Sequence, residues 1–186
     1  MLNRFLIAAP LALAAAASSH PAAAQPVNAN WTDLSFDECT VIESDDFGST
    51  WACPGLKGLP VMVRESERRF RISYGLTSTT EKAAEQTLPP VNTPSGEIEW
   101  RVSNAEGSYK PFATIVKFEL EAAGEAASSV LVVTRIAPGA TCHVAYVDAT
   151  NPDAEKLARQ AADEKAKDFD CANNPEIIGE LTAWTP

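Results

Sequence analysis

The stretch from Thr141 to Cys171, TCHVAYVDATNPDAEKLARQAADEKAKDFDC, constrains the fold more than any other part of the chain. Cys142 to Val147 alternates and is rich in β-branched and aromatic residues, so it reads as a strand. Asn151-Pro152 then opens a helix, with Asn151 as N-cap and Pro152 at the first helical position. Ala154, Leu157, Ala158, Ala161 and, more loosely, Phe169 give that helix one apolar stripe. With Thr141 the strand has seven residues and spans roughly 23 Å at about 3.3 Å per residue. A helix from Pro152 to Phe169 spans roughly 27 Å at about 1.5 Å per residue. A strand going out and a helix of similar length coming back place Cys142 and Cys171 at the same end, so the geometry predicts a disulfide between them.

The other two cysteines, Cys39 and Cys53, sit symmetrically about Asp46. They face each other if TVIESDDFGSTWA folds as a hairpin. Four cysteines allow three connectivities, and the expected pairs are Cys39 with Cys53 and Cys142 with Cys171. No Cys-x-x-Cys occurs, which argues against a zinc knuckle and a thioredoxin-like redox site. Disulfides imply an oxidising compartment, and the start of the chain agrees. Arg4 followed by the apolar run Phe5 to Ala17 and by Ala22-Ala23-Ala24 has the form of a secretory signal cleaved near Ala24. Residues 1–24 are therefore expected to be a signal peptide and residues 25–186 a single domain, periplasmic or secreted, with no membrane insertion after the signal is removed. Loss of Arg4 takes the formal charge from −10 to −11. That charge makes nucleic acid and anionic lipid poor partners.

The rest of the chain reads as an α+β domain, an antiparallel β-sheet meander with the C-terminal helix packed on the sheet. Trp31, Leu34 and Phe36 are expected to tack the start of the domain onto the core. Cys39 to Glu43 and Ser49 to Cys53 form a first hairpin. Val61 to Arg64 and Arg69 to Tyr74 form a second, around the turn Glu65-Ser66-Glu67-Arg68. Ser78 with Glu81 has the form of a capping box and predicts a short helix through Gln86. Val91 to Gly96 reads as a connecting loop. Strands follow at Glu97–Ser103, Phe112–Glu121, Ser129–Ile136 and Thr141–Val147. Ile98, Trp100 and Val102 are expected to face inward, with Glu97, Glu99 and Arg101 outward. Residues 171–186 read as an extended tail in which Ile177, Ile178 and Trp184 dock.

Few residues suggest chemistry. His143 is the one histidine beyond the signal, so a multi-histidine metal site is excluded and no Gly-x-Ser-x-Gly elbow accompanies it. Asp163, Glu164, Asp168 and Asp170 read as the solvated face of the helix. Asp148, Asn151 and Asp153 are rich in oxygen, but their spacing does not match an EF-hand. The sequence predicts no catalytic residue, metal or cofactor. The least bland feature is a run of arginines, Arg64, Arg68, Arg69 and Arg71. A symmetric turn places Arg64 across from Arg69, and like charges opposite one another need compensation. Glu65, Glu67, Glu97 or Glu99 supply it, or else an anionic partner does, since guanidinium forks match carboxylate and phosphate. Arg64, Arg69 and Arg71 are thus the candidate binding residues, for an envelope protein or a small anionic ligand.

The segments CPGLKGLPVMV, QTLPPVNTPSGEIEWR, PFATIVKF and CHVAYVDATNPDAEKLARQAADEKAKDFDC together resemble an uncharacterised family of short exported bacterial proteins. That resemblance implies export and carries no functional residues. Ser95-Gly96 and Trp100 are also similar to the Ser-Gly loop and nearby aromatics of periplasmic lysozyme inhibitors. The function expected from all of this is a non-enzymatic periplasmic binding or envelope-accessory domain. The alternatives are a lysozyme-inhibitor-like protein or a cell-wall hydrolase with a carboxylate pair.

Overall fold

A computed structural model describes residues 27–89, 91–104, 109–121 and 128–179. The expected signal peptide and the docking of Trp184 lie outside the described residues. Ten strands and one α-helix follow in order: β1 (Val27–Asp33), β2 (Thr40–Asp45), β3 (Gly48–Cys53), β4 (Val61–Ser66), β5 (Arg69–Tyr74), β6 (Val91–Ser103), β7 (Lys110–Glu121), β8 (Ser128–Arg135), β9 (Cys142–Asp148), α1 (Ala154–Lys165) and β10 (Glu176–Ile178). The strands join in one path, β10-β9-β8-β7-β6-β5-β4-β3-β2, with β1 added to β6. The sheet is mixed, not a purely antiparallel meander. β10 runs parallel to β9, and β5 meets β6 in parallel at Arg69 and Asn92.

The path doubles back on itself, and the apolar alternation of its strands shows how. Val61, Val63, Ile72 and Tyr74 of β4 and β5 share a core with Ile98, Trp100, Val102, Val116, Phe118, Leu120, Val130 and Val132. The opposite face of β7–β9 carries Ala113, Ile115, Leu131, Val133, Ala145 and Val147, and α1 covers it with Ala154, Ala158, Ala161 and Ala162. The continuous run Val130–Val133 is apolar because it is covered on both sides. Alanine is the residue that lets helix and sheet approach without gaps. Both expected disulfides are present, Cys39–Cys53 and Cys142–Cys171. The second ties the start of β9 to the chain beyond α1. Among the described residues no helix is long and apolar enough to cross a membrane.

Several expectations change. The helix begins at Ala154 with Asp153 as its N-cap, because Asn151 turns back to donate to the Asp148 carbonyl. No helix forms over residues 78–86. Glu81 does not cap it but leaves the segment, accepting from Thr77 Oγ1 and from the Gly139 and Thr141 amides. That breaks the segment into two single 3-10 turns, Ser78–Thr80 and Lys82–Ala84. Residues 91–96 are the first half of β6, paired with Leu120, Glu121 and their neighbours despite Pro94. Trp31 does not reach the core. It is half exposed on β1, opposite Glu99.

Candidate functional site

Arginines occur in two contrasting settings, and charge balance separates them. Glu99 and Arg101 were expected on an outward face, but that face lies under α1 and both are buried. Arg101 donates to Glu99 Oε1 at 2.9 Å and to both oxygens of Asp163, at 2.8 and 2.6 Å. Arg159 donates to Glu99 at 2.9 Å and reaches Glu155 at 3.3 Å. Asp163 is therefore part of a helix-to-sheet clamp and not of the solvated face. Its hydrogen bond is the largest influence holding the Arg101 guanidinium above its ordinary value, against the opposing effect of burial. Every charge in this network has an opposite partner.

The second setting is the outer face of β2–β5. The hairpin β4–β5 closes through two residues, Glu67 and Arg68, both left-handed at φ 54° and 58°. This is the turn that matches strand twist. It carries the ladder two residues further than a four-residue turn would, so Arg64 lies opposite Arg71, and Arg69 opposite Ser66. The face then carries a lateral row: Glu43 on β2, Thr50 on β3, Arg64 on β4 and Arg71 on β5. Gly48, at the start of β3, lets the two strands approach; a Cβ there would meet the Glu65 carbonyl oxygen at 2.1 Å.

The expected compensation reaches only part of the cluster. Arg69 pairs with Glu67 at 2.6 Å and Arg68 with Glu121 at 2.7 Å. Glu65 accepts from the Arg68 amide, and Glu97 and Glu99 line a different groove. Arg71 donates to Ser66 Oγ at 2.9 Å and, with Glu65 and Glu67 nearby, makes no ion pair among the described residues. Arg64 is exposed and makes no ion pair or hydrogen bond among the described residues. Burial first, then the charges of Arg69 and Arg64, hold the Arg71 guanidinium below its ordinary value, against the opposing charges of Glu67 and Glu65.

Arg64 and Arg71 line a groove of about 330 Å³ with Ile42, Glu43, Thr50, Met62, Ser73, Thr79, Ala84 and Glu85. Ser73 is buried, and its hydroxyl has no hydrogen-bond partner among the described residues. An orphaned buried hydroxyl costs about 1–3 kcal/mol. Two guanidinium groups facing one another and an unsatisfied hydroxyl are the chemistry of an oxyanion site. Arg69 stands beside this groove, occupied by Glu67. Sequence reasoning assigned the arginines but not Ser73, whose hydroxyl carries no sequence signal.

Other candidates take structural positions. His143 is buried, and its Nδ1 shares a 2.9 Å hydrogen bond with the Tyr146 hydroxyl. Val144, the extra residue of a bulge opposite Val133 and Thr134, lets these two side chains meet, where plain alternation would separate them. Burial, and secondarily Lys82, push its imidazole down to about 3, so it is neutral. Asp148 is buried and accepts from the Thr150 amide and hydroxyl. Among the described residues no three His, Cys, Asp or Glu side chains gather as metal ligands. Ser95 and Gly96 lie within β6, with Ser95 Oγ donating to the Lys117 carbonyl and Gly96 accepting from Leu34. Glu97, Glu99 and Glu155 converge with Trp31 in a groove of about 190 Å³. Glu99 is committed there to Arg101 and Arg159. No protein-family model, curated protein or solved structure matches the chain.

Proposed function

We propose that the protein is an exported, non-enzymatic binding domain that holds an anionic group of a ligand or envelope partner between Arg64 and Arg71. The observation that carries this reading is the cross-strand pairing of these two arginines, neither of which forms an ion pair among the described residues. Like charges directly opposite are destabilising in a sheet. A fold that neutralises Arg101, Arg159, Arg68 and Arg69 with its own acids leaves this pair for something else. Two disulfides support an oxidising compartment, and the Arg4 to Ala24 leader supports export to it. The resemblance to short exported bacterial proteins agrees with that placement. The rival hydrolase would draw on the Trp31 groove, but the Glu99 carboxylate is already engaged there by the guanidinium groups of Arg101 and Arg159.

The test is thermal unfolding of the disulfide-bonded protein in sulfate and in chloride at equal ionic strength. Sulfate stabilises folded proteins generally, so it is expected to raise the midpoint of both proteins, and that of the wild type by more than that of Arg64→Ala/Arg71→Ala. Equal responses in the two proteins would remove the groove as an anion site.

A further inference from the structure

We infer that the ligand of this groove is a zwitterion, a short peptide whose carboxylate lies between Arg64 and Arg71 while its ammonium group faces Glu43 or Glu85. This rests on the anion-binding reading of the same groove and goes on to name the class of ligand.

The argument is the order of charges across the groove. Register places Glu43, Thr50, Arg64 and Arg71 side by side on four successive strands. Glu85 follows the 3-10 turn Lys82–Ala84, which packs against β5. The sequence of charges is therefore acid, neutral, base, base, acid. Neighbouring strands are about 4.8 Å apart, so Glu43 stands roughly 10 Å from Arg64 along the row, with Thr50 between. Among the described residues neither Glu43 nor Glu85 pairs with either arginine.

A ligand that is purely anionic meets attraction in the middle of this groove and repulsion at both rims. A ligand that is purely cationic meets the reverse. A molecule with a carboxylate and an ammonium group about 10 Å apart, as at the two ends of a short peptide, satisfies both, and its amide groups can use the hydroxyls of Thr50 and Ser73. The unpartnered, buried Ser73 hydroxyl is the independent sign that the groove is built for a polar occupant. The apolar sides of Ile42 and Met62 line the same space. Its volume of about 330 Å³ sits at the small end of ligand pockets. That favours a short peptide over a large ligand.

Calorimetric titration of the disulfide-bonded protein with trialanine and with N-acetyl-trialanine tests this. The two peptides share the carboxylate and differ in the ammonium charge. Wild type is expected to bind trialanine about tenfold more tightly, the size of one charge-assisted hydrogen bond. Glu43→Gln/Glu85→Gln should bring the ratio close to one by improving affinity for the acetylated peptide. Both substitutions are on exposed side chains, and an unchanged unfolding midpoint checks that they leave the fold intact. Arg64→Ala/Arg71→Ala should lose both peptides. Equal wild-type affinities, or a ratio that the glutamine variant leaves unchanged, would overturn the zwitterion. The anion site would still stand if the alanine variant lost binding. A larger sulfate response in the wild type than in the alanine variant, without binding of either peptide, would also overturn the zwitterion alone. Equal sulfate responses and no binding of either peptide would overturn both readings.

Discussion

The arginines under α1 and the arginines on the outer face of β4 and β5 are the same residue type under opposite rules. Arg101 is buried and holds two carboxylates, Glu99 and Asp163, within hydrogen-bonding distance. Arg64 is exposed and holds none, while its cross-strand neighbour is another arginine. Burial explains the first arrangement. A desolvated guanidinium without its partners would cost several kcal/mol, so the fold supplies them. Water explains why the second is tolerated, because solvent around the exposed Arg64 screens its repulsion of the half-buried Arg71. What folding tolerates is available for binding.

The comparison breaks first at Arg101. Removing it leaves Asp163 without its partner and Glu99 with Arg159 alone, and breaking a buried pair costs about 3–5 kcal/mol. Arg101→Ala is therefore expected to lower unfolding free energy by that amount in urea titration. Arg64→Ala is expected to stay within about 0.5 kcal/mol of the wild type, as exposed surface substitutions do. Comparable losses at the two positions would show that the arginine face contributes to the fold after all.

Buried ionisable groups elsewhere extend the comparison to pH. His143 is neutral in the fold with its imidazole pushed down to about 3, whereas an unfolded histidine protonates near 6.5. Its contribution is present above pH 6.5 and declines with falling pH as the unfolded chain takes up the proton. The decline ends once pH passes below about 3 and the folded form protonates too. Between pH 7 and pH 5 this linkage removes about 2 kcal/mol. His143→Gln should lack that loss, so its stability should be flatter over this interval. Burial works to raise the Glu81 carboxyl, but the bonds from Thr77, Thr141 and Gly139 outweigh it and hold it below its ordinary value. Its contribution is present above the ordinary carboxyl range and is lost as pH falls through the lowered value. An acid unfolding curve of His143→Gln that tracks the wild type through pH 6 would mean that the imidazole is not buried neutral.

Much of this was legible in the residues. The Cys142–Cys171 clasp followed from matching a strand length to a helix length, and the core strands followed from alternation. The register of the second hairpin was not legible, because Glu67 and Arg68 adopt left-handed conformations that ordinarily call for glycine or asparagine. That single turn decides whether Arg64 meets Arg69 or Arg71. Glu99 and Arg101 read as outward for a related reason. Alternation tells which residues share a face, but not which face of the sheet the expected C-terminal helix will cover. Glu81 read as a helix cap because its carboxylate partners, Gly139 and Thr141, lie far along the chain.

The smallest effect is the sharpest test of why the outer pair is left unbalanced. Arg64→Glu places a carboxylate directly opposite Arg71 on a half-buried face, converting repulsion into a cross-strand ion pair. Such a pair contributes roughly 0.2–1 kcal/mol relative to neutral residues. The substitution is expected to raise the urea midpoint slightly and abolish the additional sulfate response of the wild type. Stability would then increase while binding disappears. A substitution that improves the fold and removes the ligand identifies an arrangement that folding alone does not favour. If Arg64→Glu instead lowers the midpoint, Arg64 has a structural partner in solution, and the contrast between the two arginine settings collapses.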